Sequence, residues 1–209
     1  PFDPLAPREE ARLSVQLVGS DAQPAAVRVE SSMAAWELNA DFVGPAWNEP
    51  ETDHRHLPLV RTEINVLGKP VRARLYLSAL GLVEAHINGH TVGEDVLNPG
   101  WTVYRDRVEQ WVYDVTDMLH EGTNALGFLL GDGWWRGRLG FDGGIPNVYG
   151  DRIGVQAQLE VRLDNGQVLK FYSNAWDETW NAARGTIVRS DLYEGETYDA
   201  RLEQKGWDE

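Results

Sequence analysis

The sequence predicts an all-β fold, namely an antiparallel β-sandwich of the jelly-roll type. Three observations support this prediction: hydrophobic residues recur with a period of two, turn residues separate the hydrophobic runs, and helix signals are scarce. Many short strands punctuated by Gly, Asn and Pro are typical of two packed antiparallel sheets. We therefore expect strands along most of the chain and at most one or two short helical turns.

The first 56 residues differ from the rest of the chain. Two short runs, ARLSVQLVG and AAVRVES, alternate as strands do, and a connector rich in Pro, Asn and Glu follows around GPAWNEPETDHRH. We interpret residues 1–56 as the tail or edge of a preceding module plus an exposed linker. Residues 57–209 then form the sandwich domain, and no internal repeat is visible in the sequence.

The first part of the sandwich domain predicts two strands and a tight turn. Hydrophobic and polar residues alternate over residues 71–79 and again over residues 83–87, and Gly81 separates the two runs. The chain then turns at the Asn-Gly pair of residues 88–89, which tolerates positive φ. His86 and His90 flank this turn. We expect both to be solvated, because no further metal-binding side chains accompany them in the sequence.

The later strands follow the same rules. Residues 107–114 and 125–130 predict strands, and the second run is apolar on both faces, which favours a central position in its sheet. Between them, DVTDMLHEG predicts one or two helical turns with Thr116 as the N-cap. Residues 153–163 alternate strictly, which predicts one buried and one solvated face. The Asn-Gly pair at residues 165–166 turns the chain into a returning strand.

Composition and charge exclude several classes of function. The chain has no cysteine, so disulfides and thiolate metal sites are excluded, and a cytoplasmic location is favoured. The net charge of −14, with no basic run to offset it, repels phosphate, so we expect neither nucleic acid nor a membrane as partner. No apolar stretch approaches the roughly 20 residues that cross a bilayer, and none resembles a signal peptide. Neutral ligands and protein partners remain.

The stretch GDGWWRGRLGFDGG, residues 131–144, is the strongest candidate for a binding surface. If it continues a strand, adjacent side chains point to opposite faces, so Trp134 and Trp135 are not both buried. An exposed indole is a flat apolar plate for the C–H face of a sugar ring, and polar side chains beside it suit the hydroxyls. The candidate carbohydrate-binding residues are Asp132, Trp134, Trp135, Arg136, Arg138, Asp142 and Asn147.

A purely structural role for the same stretch stays open. In that interpretation both tryptophans fill space between the sheets, and the two arginines pair with Asp132 and Asp142. Trp101 follows a Pro-Gly turn, and we favour a place in the core over one at the rim. Residues 193–201 alternate aromatic and charged side chains, which allows an edge-strand ladder, a sugar contact or a docking face.

These motifs together resemble one family. The run from residue 72 to residue 141, which ends in GDGWWRGRLGF, looks like the N-terminal non-catalytic β-sandwich domain of bacterial α-L-rhamnosidases. The later SDLYEGETYDARLEQKGWD resembles the segment that closes this domain, and FVGPAW followed by LPLVRTEI resembles the passage leading into it. The resemblance implies a galactose-binding-like sandwich, preceded in residues 1–56 by the tail of an Ig-like module.

The resemblance implies a part of an enzyme rather than a whole one. In that family a separate helical barrel hydrolyses terminal α-L-rhamnosides, so we expect this chain by itself not to be an enzyme. The implied partners are a carbohydrate such as L-rhamnose and the catalytic domain of the same full-length chain. In some members the sandwich binds rhamnose with a calcium ion. Asp142, Asn147 and Asp151 offer the hard oxygens that calcium prefers, and they are the candidate ligands.

Three functional hypotheses therefore compete. The first is a carbohydrate-binding module that assists substrate recognition, and we favour it because of the tryptophan pair. The second is a structural spacer that packs against the catalytic barrel, binds no sugar and exposes an apolar patch when isolated. The third is a free-standing rhamnosidase, which is disfavoured because the resemblance assigns catalysis to the barrel.

Overall fold

The computed structural model describes residues 10–15, 25–30, 39–48 and 55–209. The chain divides into two units, residues 1–38 and residues 39–209. In the first unit, β1 (Glu10–Val15) pairs in antiparallel fashion with β2 (Ala25–Glu30), and both strands lie within the runs that alternation predicts. The Ig-like origin of this unit stays a prediction, because much of it lies outside the described residues.

The second unit consists mainly of short strands. Along the chain these are β3 (Pro58–Val66), β4 (Pro70–Leu80), β5 (Leu82–Ile87), β6 (His90–Thr91), β7 (Trp111–Asp114), β8 (Gly122–Gly131), β9 (Gly154–Leu163), β10 (Val168–Tyr172), β11 (Asn181–Arg184), β12 (Ile187–Asp191) and β13 (Gly195–Tyr198). One sheet has the order β10-β9-β4-β7 and the other the order β11-β3-β8-β5-β6, and all their pairings are antiparallel. The two sheets pack as a sandwich, as predicted, and β12 and β13 form a separate hairpin.

Helical structure is limited to single turns in the part of the chain that the structure describes. These are α1 (Gly133–Arg136) and two 3-10 turns, Thr116–Met118 and Ala200–Leu202. Thr116 is not the N-cap that we expected. Val115 holds that position, because the Thr116 hydroxyl instead donates to Asp114 and accepts from the Ala73 amide. None of the described helices is long and apolar enough to span a membrane.

The hydrophobic core fills the space between the two sheets. Its fully buried side chains include Leu75 of β4, Phe128 of β8 and Val161 of β9. The alternating hydrophobic residues of 153–163 are all buried, which confirms the predicted inner face of β9. The central position predicted for residues 125–130 is also confirmed, since β8 lies in the middle of the five-stranded sheet.

The other face of β9 is solvated only in part, with Arg162 exposed and Gln156 and Glu160 half-buried. Gln158 is fully buried on that face, and its Oε1 accepts a 3.2 Å hydrogen bond from the Asn39 amide. Val43 and Val155 exchange two backbone hydrogen bonds of 2.8 Å each. Residues 39–43 thus add a short extended segment to the sandwich. The second unit begins at Asn39. The sequence assigns residues 39–43 to a linker, because their partners on β9 are more than one hundred residues away in the chain.

Candidate functional site

The Gly-rich stretch turns into a helix as soon as β8 ends. Gly133 has a φ of +50°, and a Cβ at this position would lie 2.6 Å from Leu82 Cγ, so the turn requires glycine. Trp134 and Trp135 follow on α1, where successive side chains are about 100° apart rather than opposite. Both indoles are half-buried. The two indoles are therefore not both buried, as expected, but the opposite-face geometry from which this was predicted is wrong, because the residues lie on a helical turn.

Trp135 forms part of the wall of the sandwich. Its Nε1 donates to the Arg152 carbonyl at 2.8 Å, and its ring packs against the hydrophobic core. The Tyr104 ring meets Trp135 edge to face, with centroids 5.2 Å apart. A Cβ at Gly150 would lie 2.4 Å from the same indole. Trp135 is held on several sides, so it does not offer the free face that a sugar platform needs.

Trp134 forms the inner half of a stacked pair. Its ring lies nearly parallel to that of Trp101, with an interplanar angle of 8° and centroids 6.2 Å apart. Trp101 is 57% exposed, and its Nε1 donates to the Tyr149 hydroxyl at 3.3 Å. Our expectation of a core position for Trp101 is wrong, because the stack leaves its outer face in solvent. The exposed indole beside the Gly-rich stretch is thus Trp101.

Asp132, which directly precedes α1, forms an ion pair with Arg136, the last residue of α1. Arg136 is completely buried, and its Nη2 lies 2.5 Å from Asp132 Oδ1. Arg55 reaches the same group: its Nη1 lies 3.7 Å from Asp132 Oδ2 and donates to Asn147 Oδ1 at 3.0 Å. A side chain with no exposed surface cannot touch a sugar in solvent. We therefore correct the predicted role of Arg136 from sugar contact to internal support of α1.

Arg138 and Asp142 belong to a loop that projects from the sandwich. The loop is closed by a bridge between Leu139 and Ile145, and Arg138 Nη1 donates to the Gly143 carbonyl at 3.1 Å. Asp142 lies in this loop with a φ of +54° and is exposed to solvent. Arg138 thus stabilises the loop, while Asp142 is free to meet a partner from solvent.

A cleft of about 920 Å³ opens between residues 42–48 and residues 146–154. Its volume falls within the range of small-molecule sites, roughly 300–1,000 Å³. Aromatic rings and oxygen-bearing side chains share its lining. The aromatic members are Phe42, Trp47 and Trp180, and the polar members are Asn48, Arg55, Asn147, Asp151, Arg152, Asn174 and Asp177.

The walls of this cleft are fixed by packing and hydrogen bonds. Trp180 stacks on Phe128 of the core with centroids 5.9 Å apart, and the Arg184 guanidinium lies 5.7 Å from the centre of the Trp47 ring. Arg55 is buried at the cleft and binds Asn147, which orients that amide. The cleft therefore offers preorganised rings and amides, the combination that recognises hydroxylated ring compounds.

Two of the predicted site residues meet in this cleft, namely Asn147 and Asp151. Trp134 lies in the indole stack, Asp132 and Arg136 pair with each other, and Arg138 bonds the Gly143 carbonyl of its loop. The sequence interpretation missed Trp47, Asn48 and Trp180. Trp47 lies in the connector that we assigned to a linker, although an indole within a Pro- and Asn-rich segment was a signal that could have pointed to a binding wall.

The three candidate calcium ligands do not come together as predicted. Asn147 and Asp151 line the cleft, whereas Asp142 lies in the exposed loop and is not part of the lining. In the described ranges, no three His, Cys, Asp or Glu side chains form a group that could hold a metal ion. Oxygen donors of the kind that calcium prefers do line the cleft, beside the guanidinium groups of Arg55 and Arg152. These donors are Asn48, Asn147, Asp151, Asn174 and Asp177.

The sequence matches a known domain family over most of the sandwich. Residues 68–209 match the family described as "Alpha-L-rhamnosidase N-terminal domain". The chain belongs to this family. The α-L-rhamnosidase of Streptomyces avermitilis is 40% identical over 201 residues, covering 84% of this chain and 19% of the relative. One from Formosa agariphila is 38% identical over 156 residues, covering 73% of this chain and 16% of the relative. The chain thus spans about a fifth of the length of these curated α-L-rhamnosidases.

Solved α-L-rhamnosidase structures contain the same fold. The native enzyme from Aspergillus terreus superposes with a TM-score of 0.86 at 40% identity, over all of this chain and 25% of that one. The Streptomyces avermitilis enzyme complexed with L-rhamnose gives a TM-score of 0.69 at 46% identity, over 74% of this chain and 15% of that one. The predicted resemblance to rhamnosidase N-terminal β-sandwich domains is confirmed.

Proposed function

We propose that this chain is a non-catalytic carbohydrate-binding module of an α-L-rhamnosidase and that it holds L-rhamnose or a rhamnoside in the cleft. Hydrolysis belongs, in this proposal, to a separate catalytic domain of the parent enzyme. The observation that carries the proposal is the lining of the cleft, which combines Trp47 and Trp180 with amide and carboxylate oxygens. A related enzyme crystallised in complex with L-rhamnose supports the choice of sugar.

The cleft suits a neutral sugar in both shape and charge. An indole face would cover the C–H groups of a pyranose ring, while the Asn147 amide nitrogen would donate to its hydroxyls and the Asp151 carboxylate would accept from them. A neutral ligand is also the one that the net charge of −14 does not repel. We therefore expect modest affinity that depends on both the aromatic and the polar walls.

Calorimetric titration of L-rhamnose into the protein tests the proposal. Trp47→Ala and Asp151→Ala are each expected to weaken binding about tenfold or more, which corresponds to about 1.4 kcal/mol. Trp176→Ala is the matched control, because Trp176 is highly exposed on the 174–180 turn but is not part of the cleft lining. The absence of any heat at millimolar sugar, or an equal loss in the control, contradicts the proposal.

A second location for the sugar is the exposed face of Trp101, stacked on Trp134. The same titration separates the two locations, since Trp101 is not part of the cleft lining. If Trp101→Ala abolishes binding while Trp47→Ala leaves it unchanged, the stacked pair is the site and the cleft is not. The predicted platform role would then belong to Trp101 rather than to Trp134 or Trp135.

We further propose that calcium contributes to this site through the Asp151 carboxylate, since the Asn147 side-chain oxygen already accepts from Arg55. Calcium prefers carboxylate and amide oxygens and would supply a positive centre for sugar hydroxyls. Terbium, whose luminescence is sensitised by a nearby indole, reports on the metal alone. Asp151→Ala is expected to remove the terbium signal, and a chelator is expected to lower rhamnose affinity. A terbium signal unaffected by Asp151→Ala excludes this metal site.

A spacer function is the second candidate, and exposed apolar side chains favour it. Phe141 is 96% exposed, and Val96 and Ile145 are also largely in solvent. Such residues suit packing against another domain of the parent enzyme. The spacer hypothesis predicts no rhamnose binding by this chain. It also predicts that Phe141→Ser lowers the thermal stability of the full-length enzyme without lowering that of the isolated module.

A further inference from the structure

Residues 204–209, here called the strap, cross the outer face of the five-stranded sheet. At one side, Gln204 Nε2 donates to the Arg184 carbonyl of β11 at 2.9 Å. In the middle, Arg61 of β3 donates to the Glu209 carbonyl at 2.5 Å. At the far side, the Gly89 amide donates to the Asp208 carbonyl at 2.8 Å. The strap thus contacts the sheet from β11 to the turn after β5.

Trp207 anchors the strap on the sheet. A Cβ at Gly127 of β8 would lie 2.8 Å from Trp207 Cζ3, so the indole occupies the space that the missing side chain leaves. The side chains of Leu126 and Phe128 point into the core, so a side chain at Gly127, between them on the strand, would point to the outer face of the sheet. The same indole lies 5.1 Å from the His86 ring, centroid to centroid. The strap therefore covers His86.

His86 lies between two carboxylates. Its Nε2 is 2.9 Å from Glu84 Oε1 on the same strand, and its Nδ1 is 2.7 Å from Asp208 Oδ2 on the strap. The side chain is only 13% exposed, so the expectation that His86 is solvated is wrong. Sequence could not show this, because Asp208 and Trp207 are more than one hundred residues away in the chain.

These two carboxylates favour the charged imidazolium. Burial lowers the pKa of His86, but the bond to Glu84 and the charges of Glu84 and Asp208 raise it by more, so the net pKa lies above 6.5. The neighbouring strands bring no other charge opposite His86. The residues directly opposite His86 are Gly127 of β8 and Thr91 of β6, and neither carries a charge. His90 of β6 lies opposite Ile87 instead. On β3, the charged residues Arg61 and Glu63 pair with each other.

We propose that the strap is a pH-sensitive latch, held on the sheet while His86 is protonated between Glu84 and Asp208 and released when His86 loses its proton. A neutral imidazole no longer attracts both carboxylates, and the Asp208 carboxylate, which is only 15% exposed, then loses its charged partner. A group whose pKa is raised by folding stabilises the folded form fully below its unfolded pKa, here about 6.5. That stabilisation is lost as the pH rises through the raised pKa.

Hydrogen exchange of the Gly89 amide tests the latch, because this amide donates to the strap. Protection, corrected for the intrinsic rate at each pH, is expected to fall between pH 6 and pH 9. The fall should be about tenfold for each pH unit by which the closed strap raises the pKa of His86. The NMR titration of the His86 ring protons should show a pKa above 6.5 in the same sample.

Two variants and one control complete the experiment. His86→Gln should show low Gly89 protection at pH 6 and no further loss up to pH 9, whereas the exposed His90→Gln on β6 should behave as the wild type. Asp208→Asn tests the same contact from the strap side and should lower the pKa of His86. Equal pH dependence of Gly89 protection in His86→Gln and wild type, or an ordinary pKa for His86, would overturn the latch.

Discussion

The ion pair of Arg136 and Asp132 shows how a single residue can be misassigned from sequence. Both side chains belong to the Gly-rich stretch, where charged groups beside indoles suggest a sugar site. In the fold they lie beneath α1, with Arg55 and Asn147 completing the group. Burial alone separates the two roles, because a guanidinium enclosed by protein can orient a binding loop without touching its ligand.

Arg136→Ala tests this supporting role. Removing one member of a buried pair leaves Asp132 without its nearest cation, and we expect the free energy of unfolding to fall by about 3–5 kcal/mol. Urea denaturation measures the change. Arg201→Ala is the control, since Arg201 lies in solvent and pairs with nearby Asp199; its removal should lower the free energy of unfolding far less than Arg136→Ala does. A small cost for Arg136→Ala would mean that the pair is not structural.

At the scale of elements, local signals located strands and turns well. The Asn-Gly turn at residues 88–89 has φ values of +52° and +79°, as a tight hairpin turn requires. Gly81 lies between β4 and β5, where the sequence predicts a break. The one-turn helix α1 was not predicted, because four residues with two glycines nearby carry no helical period. The helical turn depends on two long-range or buried contacts instead: the close approach of Gly133 to Leu82 and the ion pair of Arg136 with Asp132.

Gly81→Ala is expected to be costly for two reasons. Its φ of +120° disfavours any side chain, and an added Cβ would lie 2.3 Å from the Gly131 carbonyl oxygen. Gly122→Ala is the matched control, since its φ is +97° but open space surrounds it. We expect Gly81→Ala to lose about 1–3 kcal/mol more than Gly122→Ala in urea denaturation, from the added crowding. Equal losses would mean that backbone strain alone explains the cost.

At the scale of the whole molecule, the sandwich includes a segment that the sequence assigns to a linker. Residues 39–43 pair with β9 and with the residue after β10: the Asp41 amide donates to the Ser173 carbonyl at 2.7 Å, and Val43 is buried. This pairing closes one wall of the cleft, because residues 42–48 continue from it. The binding site proposed here therefore depends on a long-range contact.

Comparison of two fragments tests this contact. Residues 39–209 are expected to unfold in one cooperative transition, as a single unit does. Residues 57–209 should be less stable by about 5 kcal/mol, from about 1 kcal/mol for each of several lost hydrogen bonds and about 2 kcal/mol for Val43. The longer fragment should also retain rhamnose binding. Equal stability of the two fragments would show that residues 39–56 are a linker after all.

The sequence by itself determined the all-β class, the inner face of β9, the central place of β8 and the family. These properties follow from periodicity and motifs that are local in the chain, and local patterns persist in any packing. Only the tertiary structure decided which indole faces solvent, that Arg136 is buried, and that Trp47 and Asp151 share a cleft. Those facts depend on contacts between residues far apart in sequence, which alternation and turn signals do not encode.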